Sequence, residues 1–140
     1  MTDQGALRGG CNCGAVRYEV TAAPLAVIAC HCTSCRKQSG AAFSVNLVVR
    51  ADRMSVEGPL ASYLDPDTES GAPIERQFCA GCGSPIRSVP TAAPKMIALK
   101  AGTLDAPEPF APQIHIWTRS ALPWTTIPDG LPRFEKGPAA

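Results

Sequence analysis

Apolar and polar positions alternate in short bursts along this chain. In Ala15–Val20 (AVRYEV) the alternation puts Val16, Tyr18 and Val20 on one face, the period-two signature of a half-buried strand. Phe43–Arg50 (FSVNLVVR) reads as a longer strand, and Met54–Glu57, Ile74–Cys79 and Ile86–Val89 read as shorter ones. Leu25–Cys30 is an unbroken apolar run, which predicts a buried strand ending at a cysteine cluster. Thr33–Ser39 is polar, lacks β-branched residues after Thr33 and is followed by Gly40, which predicts one or two helical turns with a glycine stop. Thr91–Pro94 reads as a turn. Met96–Leu104 (MIALKAGTL) is assigned as a strand because it is short and flanked by Pro94 and Pro107. Ile114–Thr118 (IHIWT) is the last clear strand, and Pro123, Pro128, Pro132 and Pro138 forbid a long helix after it. Residues 1–9 and 135–140 read as loose tails.

Many short strands and little helix predict a mainly β, antiparallel fold with short helical turns. The strands alone describe a sandwich or a barrel equally well. Nothing marks a second domain, so residues 1–140 are read as one. Twelve glycines and 14 prolines fall short of a disordered composition but fit short elements joined by many turns.

Charge narrows the partners. A net charge of +1 offers no basic excess to neutralise phosphates, so no nucleic acid partner is expected. The apolar runs are too short to span a bilayer, so no membrane partner is expected either. The opening MTDQGALRGG has no apolar secretory core, which points to the cytoplasm, a reducing compartment. Nothing in the sequence specifies an oligomer.

That compartment decides how the seven cysteines are read. Disulfides persist mainly in oxidising surroundings. The count is odd, and the cysteines fall in three tight clusters: Cys11-Asn12-Cys13-Gly14, Cys30-His31-Cys32-Thr33-Ser34-Cys35 and Cys79-Ala80-Gly81-Cys82-Gly83. Metal binding is preferred over a disulfide framework or buried unliganded thiols. Cys-x-x-Cys reaches one metal from a tight turn, and Cys-x-Cys does so from an extended segment, where residues i and i+2 share a face. Cys11, Cys13, Cys79 and Cys82 then make a closed four-cysteine site. Cys30, Cys32 and Cys35 supply three ligands of a tetrahedron, which is the arithmetic of an open, catalytic zinc. Alternatives remain at this level. His115 or His31 closes the second site, or Cys11 and Cys13 join cysteines of the second cluster.

The chain resembles the glutathione-dependent formaldehyde-activating enzymes, also called the GFA or CENP-V-like family. The matching stretches are GGCNCGAVRYEV at 9–20, CHCTSCRKQSGAAF at 30–43, FCAGCGSPI at 78–86 and HIWTRSALPW at 115–124. The resemblance implies a zinc-containing fold of tent-like β-sheets, a β-tent. It implies a structural zinc on Cys11, Cys13, Cys79 and Cys82 and a second, exchangeable zinc on Cys30, Cys32 and Cys35. It also implies glutathione as co-substrate and a reaction in which the glutathione sulfur adds to formaldehyde, or the reverse, making the chain a carbon–sulfur lyase.

The chemistry of the open site agrees with that reading. Three thiolates around Zn²⁺ leave a soft centre of charge −1, suited to a sulfur ligand, and a metal-bound thiol is deprotonated. Arg36, Lys37 and Arg119 are candidates to pair with glutathione carboxylates. Trp117 and Trp124 are candidates to line a cleft, and His115 to move protons near neutral pH. Ser34, Gln38 and Ser39 are candidates to bond the cysteine sulfurs. The alternative class is a non-catalytic zinc module that binds a protein or carries a thiol adduct.

Overall fold

The computed structural model describes residues 6–66 and 68–137. Among these residues there are ten strands and one α-helix. β1 (Leu7–Gly10), β2 (Arg17–Val20) and β5 (Met54–Glu57) form a three-stranded antiparallel sheet in the order β1-β2-β5. β3 (Ala26–Cys30), β4 (Ser44–Arg50), β6 (Leu60–Asp65), β7 (Ile74–Cys79), β8 (Pro85–Pro90), β9 (Met96–Lys100) and β10 (Ile114–Ile116) form a seven-stranded sheet in the order β10-β3-β4-β9-β8-β7-β6. Its neighbours pair antiparallel except β10, which runs parallel to β3. The helix α1 (Thr33–Ser39) links β3 to β4 and ends at Gly40, whose φ of 68° is the left-handed stop expected there.

The expected strands are present, mostly with ends moved by one or two residues. Two strands were not foreseen. Residues 7–9 belong to β1 rather than to a loose arm, because Leu7 and Gly9 take up the free edge of β2 opposite Val20 and Tyr18. Leu60–Asp65 (LASYLD) pairs along all of Ile74–Cys79 as an edge strand, with Tyr63 and Leu64 exposed. Exposure of its apolar residues blurs the alternation that would have revealed it. The run Met96–Leu104 is a strand only as far as Lys100, where a 3-10 turn, Ala101–Thr103, takes over. At the C-terminal end, the Trp117 amide donates to the Lys136 carbonyl, so residue 136 is tied down. Of the expected tails, residues 1–5 and 138–140 lie outside the described residues.

One face of the seven-stranded sheet packs on the small sheet. Val27, Leu47, Val49, Ile97 and Leu99 meet Val16, Tyr18 and Val20 there, all nearly free of solvent. The period-two pleat sends the intervening residues of the same strands to the opposite face. On that face the register lines up Ile28, Asn46 and Lys100 in one row, and Val48, Ala98, Ser88 and Arg76 in the next. The central strands are thus buried on both sides, one side apolar and the other carrying polar groups.

Candidate metal centres and the cavity beside them

The seven cysteines gather as two groups whose sulfurs could each hold a metal ion, with all sulfurs in a group within 4.8 Å of one another. The first group is Cys11, Cys13, Cys79 and Cys82. Cys11 and Cys13 lie on the turn joining β1 to β2, where the Cys11 amide donates to the Val16 carbonyl and Gly14 takes φ of 84°. Cys79 and Cys82 lie on the turn joining β7 to β8, where the Gly83 amide donates to the Cys79 carbonyl at φ of 81°. Each glycine reaches a left-handed conformation without a β-carbon penalty. The group therefore clips the small sheet to the large one, and the Asn12 amide adds a hydrogen bond to the Ser84 hydroxyl across the same junction.

The donor set fits zinc. Cys11 and Cys13 sulfurs are 3.5 Å apart, and those of Cys13 and Cys79 are 3.8 Å apart. A tetrahedron with Zn–S near ~2.3 Å has edges of about 3.8 Å. Backbone amides already aim at the sulfurs: Val16 at Cys11, and Gly81 and Cys82 at Cys79, at 3.2–3.4 Å. Such donors favour thiolates. The Ser84 hydroxyl and amide draw the Cys82 thiol down to about 5.

The second group is Cys30, Cys32 and Cys35, all buried. Cys30 ends β3. Cys32 caps α1, its sulfur accepting from the Cys35 amide at 3.2 Å, and Cys35 sits in the first helical turn. Packing by Ile116 and Trp117 closes one side. Trp117 is the one non-glycine among the described residues with positive φ, at 57°. Among the described residues no histidine or carboxylate joins these sulfurs. His115 and His31 instead bond each other, Nδ1 to Nε2 at 2.9 Å, beside Phe43. Burial lowers both imidazoles, His31 to about 4.

Two buried cations reach this cluster, and the sequence reading had singled out neither. The Arg76 guanidinium lies 4.0 Å from the Cys35 sulfur, bonds Ser88, and pairs with Asp65 at 3.2 Å. Lys100 donates to the Ser44 hydroxyl at 2.7 Å, and Ser44 donates in turn to Asn46. Cys35 is held far below the ordinary thiol range, first because Cys30 and Cys32 donate to it, with Lys100 and Arg76 adding attraction. The same thiol contacts push Cys30 up. A signal existed for Lys100: it closes an apolar run at the same parity as Ala98, opposite Ile97 and Leu99, so its strand face had to be polar or functional.

The cations chosen from sequence stand elsewhere. Arg36 is half-buried on α1, its Nη2 3.5 Å from the Thr33 hydroxyl. Lys37 is exposed and lines a groove of about 310 Å³ with Ser34, Gln38, Tyr63, Asp65 and Arg76. Arg119 is paired with Glu69 at 3.1 Å and stacked over Trp117 at 5.2 Å. Glu69 also accepts from the Thr33 amide and the Ser120 hydroxyl, so this ion pair fastens the first turn of α1. Trp124 is largely exposed. The Ser39 hydroxyl serves the helix end, donating to the Arg36 carbonyl and accepting from the Ala41 amide. No helix among the described residues is long and apolar enough to cross a membrane.

Comparison with known proteins gives the fold and the family. A crystal structure of a Rhodobacter sphaeroides protein shares the fold, with a TM-score of 0.56 and 22% identity over 71% of this chain and 88% of that one. A Halomonas elongata protein named "Putative glutathione-dependent formaldehyde-activating enzyme" is 30% identical over 126 residues, 86% of this chain and 80% of its own. Residues 6–120 match the family described as glutathione-dependent formaldehyde-activating enzyme, and the chain belongs to that family.

Proposed function

We propose that the chain is a zinc-dependent carbon–sulfur lyase acting on a thiol adduct of formaldehyde or a similar small electrophile, with glutathione as the thiol. One observation carries this reading: three buried cysteine sulfurs converge with no fourth side-chain ligand among the described residues, beside a cavity that also receives Arg76 and Lys100. Cys11, Cys13, Cys79 and Cys82 hold a structural zinc, and Cys30, Cys32 and Cys35 hold the second. When bound there, the second zinc supplies a soft centre at which a substrate thiol is kept as the nucleophilic thiolate.

The residues of the chain do the rest. Arg76 and Lys100 offset the negative charge that accumulates on the sulfurs, a task their burial strengthens. Lys37, in the groove that shares Arg76 with the cavity, is placed to meet a glutathione carboxylate. Arg36 and Arg119 stand second to it in that role, since Arg119 is already committed to Glu69. In the synthetic direction the thiolate sulfur attacks the aldehyde carbon, a carbon–sulfur bond forms as the carbon–oxygen π bond breaks, and the resulting alkoxide takes a proton from solvent, balancing the one the thiol released. Cleavage is the reverse.

Cobalt substitution tests this. Glutathione added to the cobalt form is expected to intensify the thiolate-to-metal bands as a fourth sulfur joins. S-methylglutathione, which has no thiol proton to lose, leaves the spectrum unchanged. Affinity for glutathione rises with pH until the free thiol ionises, because binding releases a proton. Equal binding of both compounds with an unperturbed spectrum would replace the lyase by a non-catalytic zinc module.

A further inference from the structure

The cavity beside the second cysteine group holds about 150 Å³. It is graded from end to end by strand register. Cys30 stands opposite Ser44, and one step along Asn46 faces Lys100. A further step brings the row of Val48, Ala98, Ser88 and Arg76, and beyond it Ile74 faces Pro90. Sulfurs and a buried ammonium occupy one end, with Ile28 and Ile116 beside them; Val48, Ala98, Ile74 and Pro90 wall the other, where the Arg76 guanidinium is taken up by Ser88, Asp65 and the Cys35 sulfur. Lys100 gives one N–H to Ser44. An ammonium carries three donors, so two stay without a partner among the described residues, on a side chain that is almost wholly buried.

A space this size accommodates about six non-hydrogen atoms, since an apolar cavity of about 150 Å³ takes up a molecule the size of benzene. Formaldehyde has two. It would leave the aliphatic end to water that finds few polar partners there. An oxygen beside Lys100 followed by a short alkyl chain fills both ends. We infer that this cavity selects an oxygen headgroup carrying a two- to four-carbon aliphatic chain, and that the electrophile is accordingly a short-chain aldehyde, its oxygen held by Lys100 and its chain against Val48, Ala98, Ile74 and Pro90. The aldehyde assignment rests on the lyase reading. The chain selection rests on the cavity alone.

The metal-loaded protein tests the two parts separately. Straight-chain carboxylates from formate to hexanoate are titrated while the methyl resonances of alanine and isoleucine are followed by NMR. Each methylene up to butyrate is expected to tighten binding about fourfold, with Ala98 and Ile74 shifting and no further gain at hexanoate. Ala98→Leu, which fills the aliphatic end, removes the gain with length. Lys100→Met weakens every member of the series. In parallel, glutathione adduct formation is followed with formaldehyde, acetaldehyde, propanal and butanal, and kcat/KM is expected to rise along the series. Affinity independent of chain length overturns the inference, even if formaldehyde is turned over and the lyase reading survives. Length-dependent binding with no reaction of any aldehyde keeps the selecting cavity and removes the lyase reading.

Discussion

Arg76 shows how a single side chain can serve both stability and chemistry. It sits on β7, nearly free of solvent, with Asp65 on the neighbouring strand as its counter-ion and the Cys35 sulfur on its other side. Breaking a buried ion pair from one side is costly because the partner charge is stranded. Arg76→Met is expected to destabilise the metal-loaded protein by about 3–5 kcal/mol, read from urea unfolding. Asp65→Leu in the same chain should recover most of that loss, since replacing both charges leaves nothing uncompensated. If the double variant is no more stable than the single one, Arg76 is held chiefly by the thiolates rather than by Asp65. The exposed pairs Arg8–Glu19 and Arg50–Asp52 carry no such expectation, because water screens them.

Among the elements, β1 is the shortest-range addition to the fold and the least visible in the pattern. Its position depends on glycine. A β-carbon built at Gly9 would run into the Thr103 carbonyl oxygen and the Tyr18 ring and hydroxyl, which bonds Thr103 at 2.7 Å. Neither neighbour is the loose end of a flexible chain. Gly9→Ala is expected to cost about 3 kcal/mol, the upper end for over-packing. Gly14→Ala, at a left-handed φ of 84° with open space around it, should cost about 1–2 kcal/mol from backbone strain alone. Urea midpoints of the two variants, measured side by side, check the order. A reversed order would mean that β1 yields to the added methyl and is not clamped between Tyr18 and the Ala101–Thr103 turn.

At the scale of the molecule, the two cysteine groups differ in what they join. The four-cysteine group bridges turns of two different sheets, whereas the three-cysteine group lies within the end of β3 and the start of α1. A structural zinc contributes roughly 10–16 kcal/mol of apparent binding free energy, against a total stability of about 5–15 kcal/mol for a domain. Cys79→Ser or Cys11→Ser should therefore leave little soluble, folded protein. Mild chelation should remove the metal with three protein ligands first, leaving about one zinc per chain and an unchanged far-ultraviolet circular dichroism spectrum. Metal content and circular dichroism followed in one titration check this. Simultaneous loss of both metals with unfolding would mean that the groups are not divided into a structural and an exchangeable one.

Much of this protein is local and therefore legible in its sequence. Strand periodicity, the helix stop at Gly40 and the Cys-x-Cys and Cys-x-x-Cys spacings depend on a few neighbouring residues, and they led to the strands and to both cysteine groups. The edge strand Leu60–Asp65 was hidden because Tyr63 and Leu64 face solvent side by side, and Leu7–Gly10 because glycines carry no pattern. The parallel seat of β10 on β3 and the partnership of His31 with His115 were decided by tertiary contact alone. So were the cations of the site. Arg36, Lys37 and Arg119 lie near the motifs in sequence, yet Arg76 reaches the Cys35 thiol and Lys100 lines the cavity beside it, because register across a sheet brings together residues that spacing along the chain keeps apart. A buried charge is tolerated only where its partners converge, and that convergence is a property of the folded sheet.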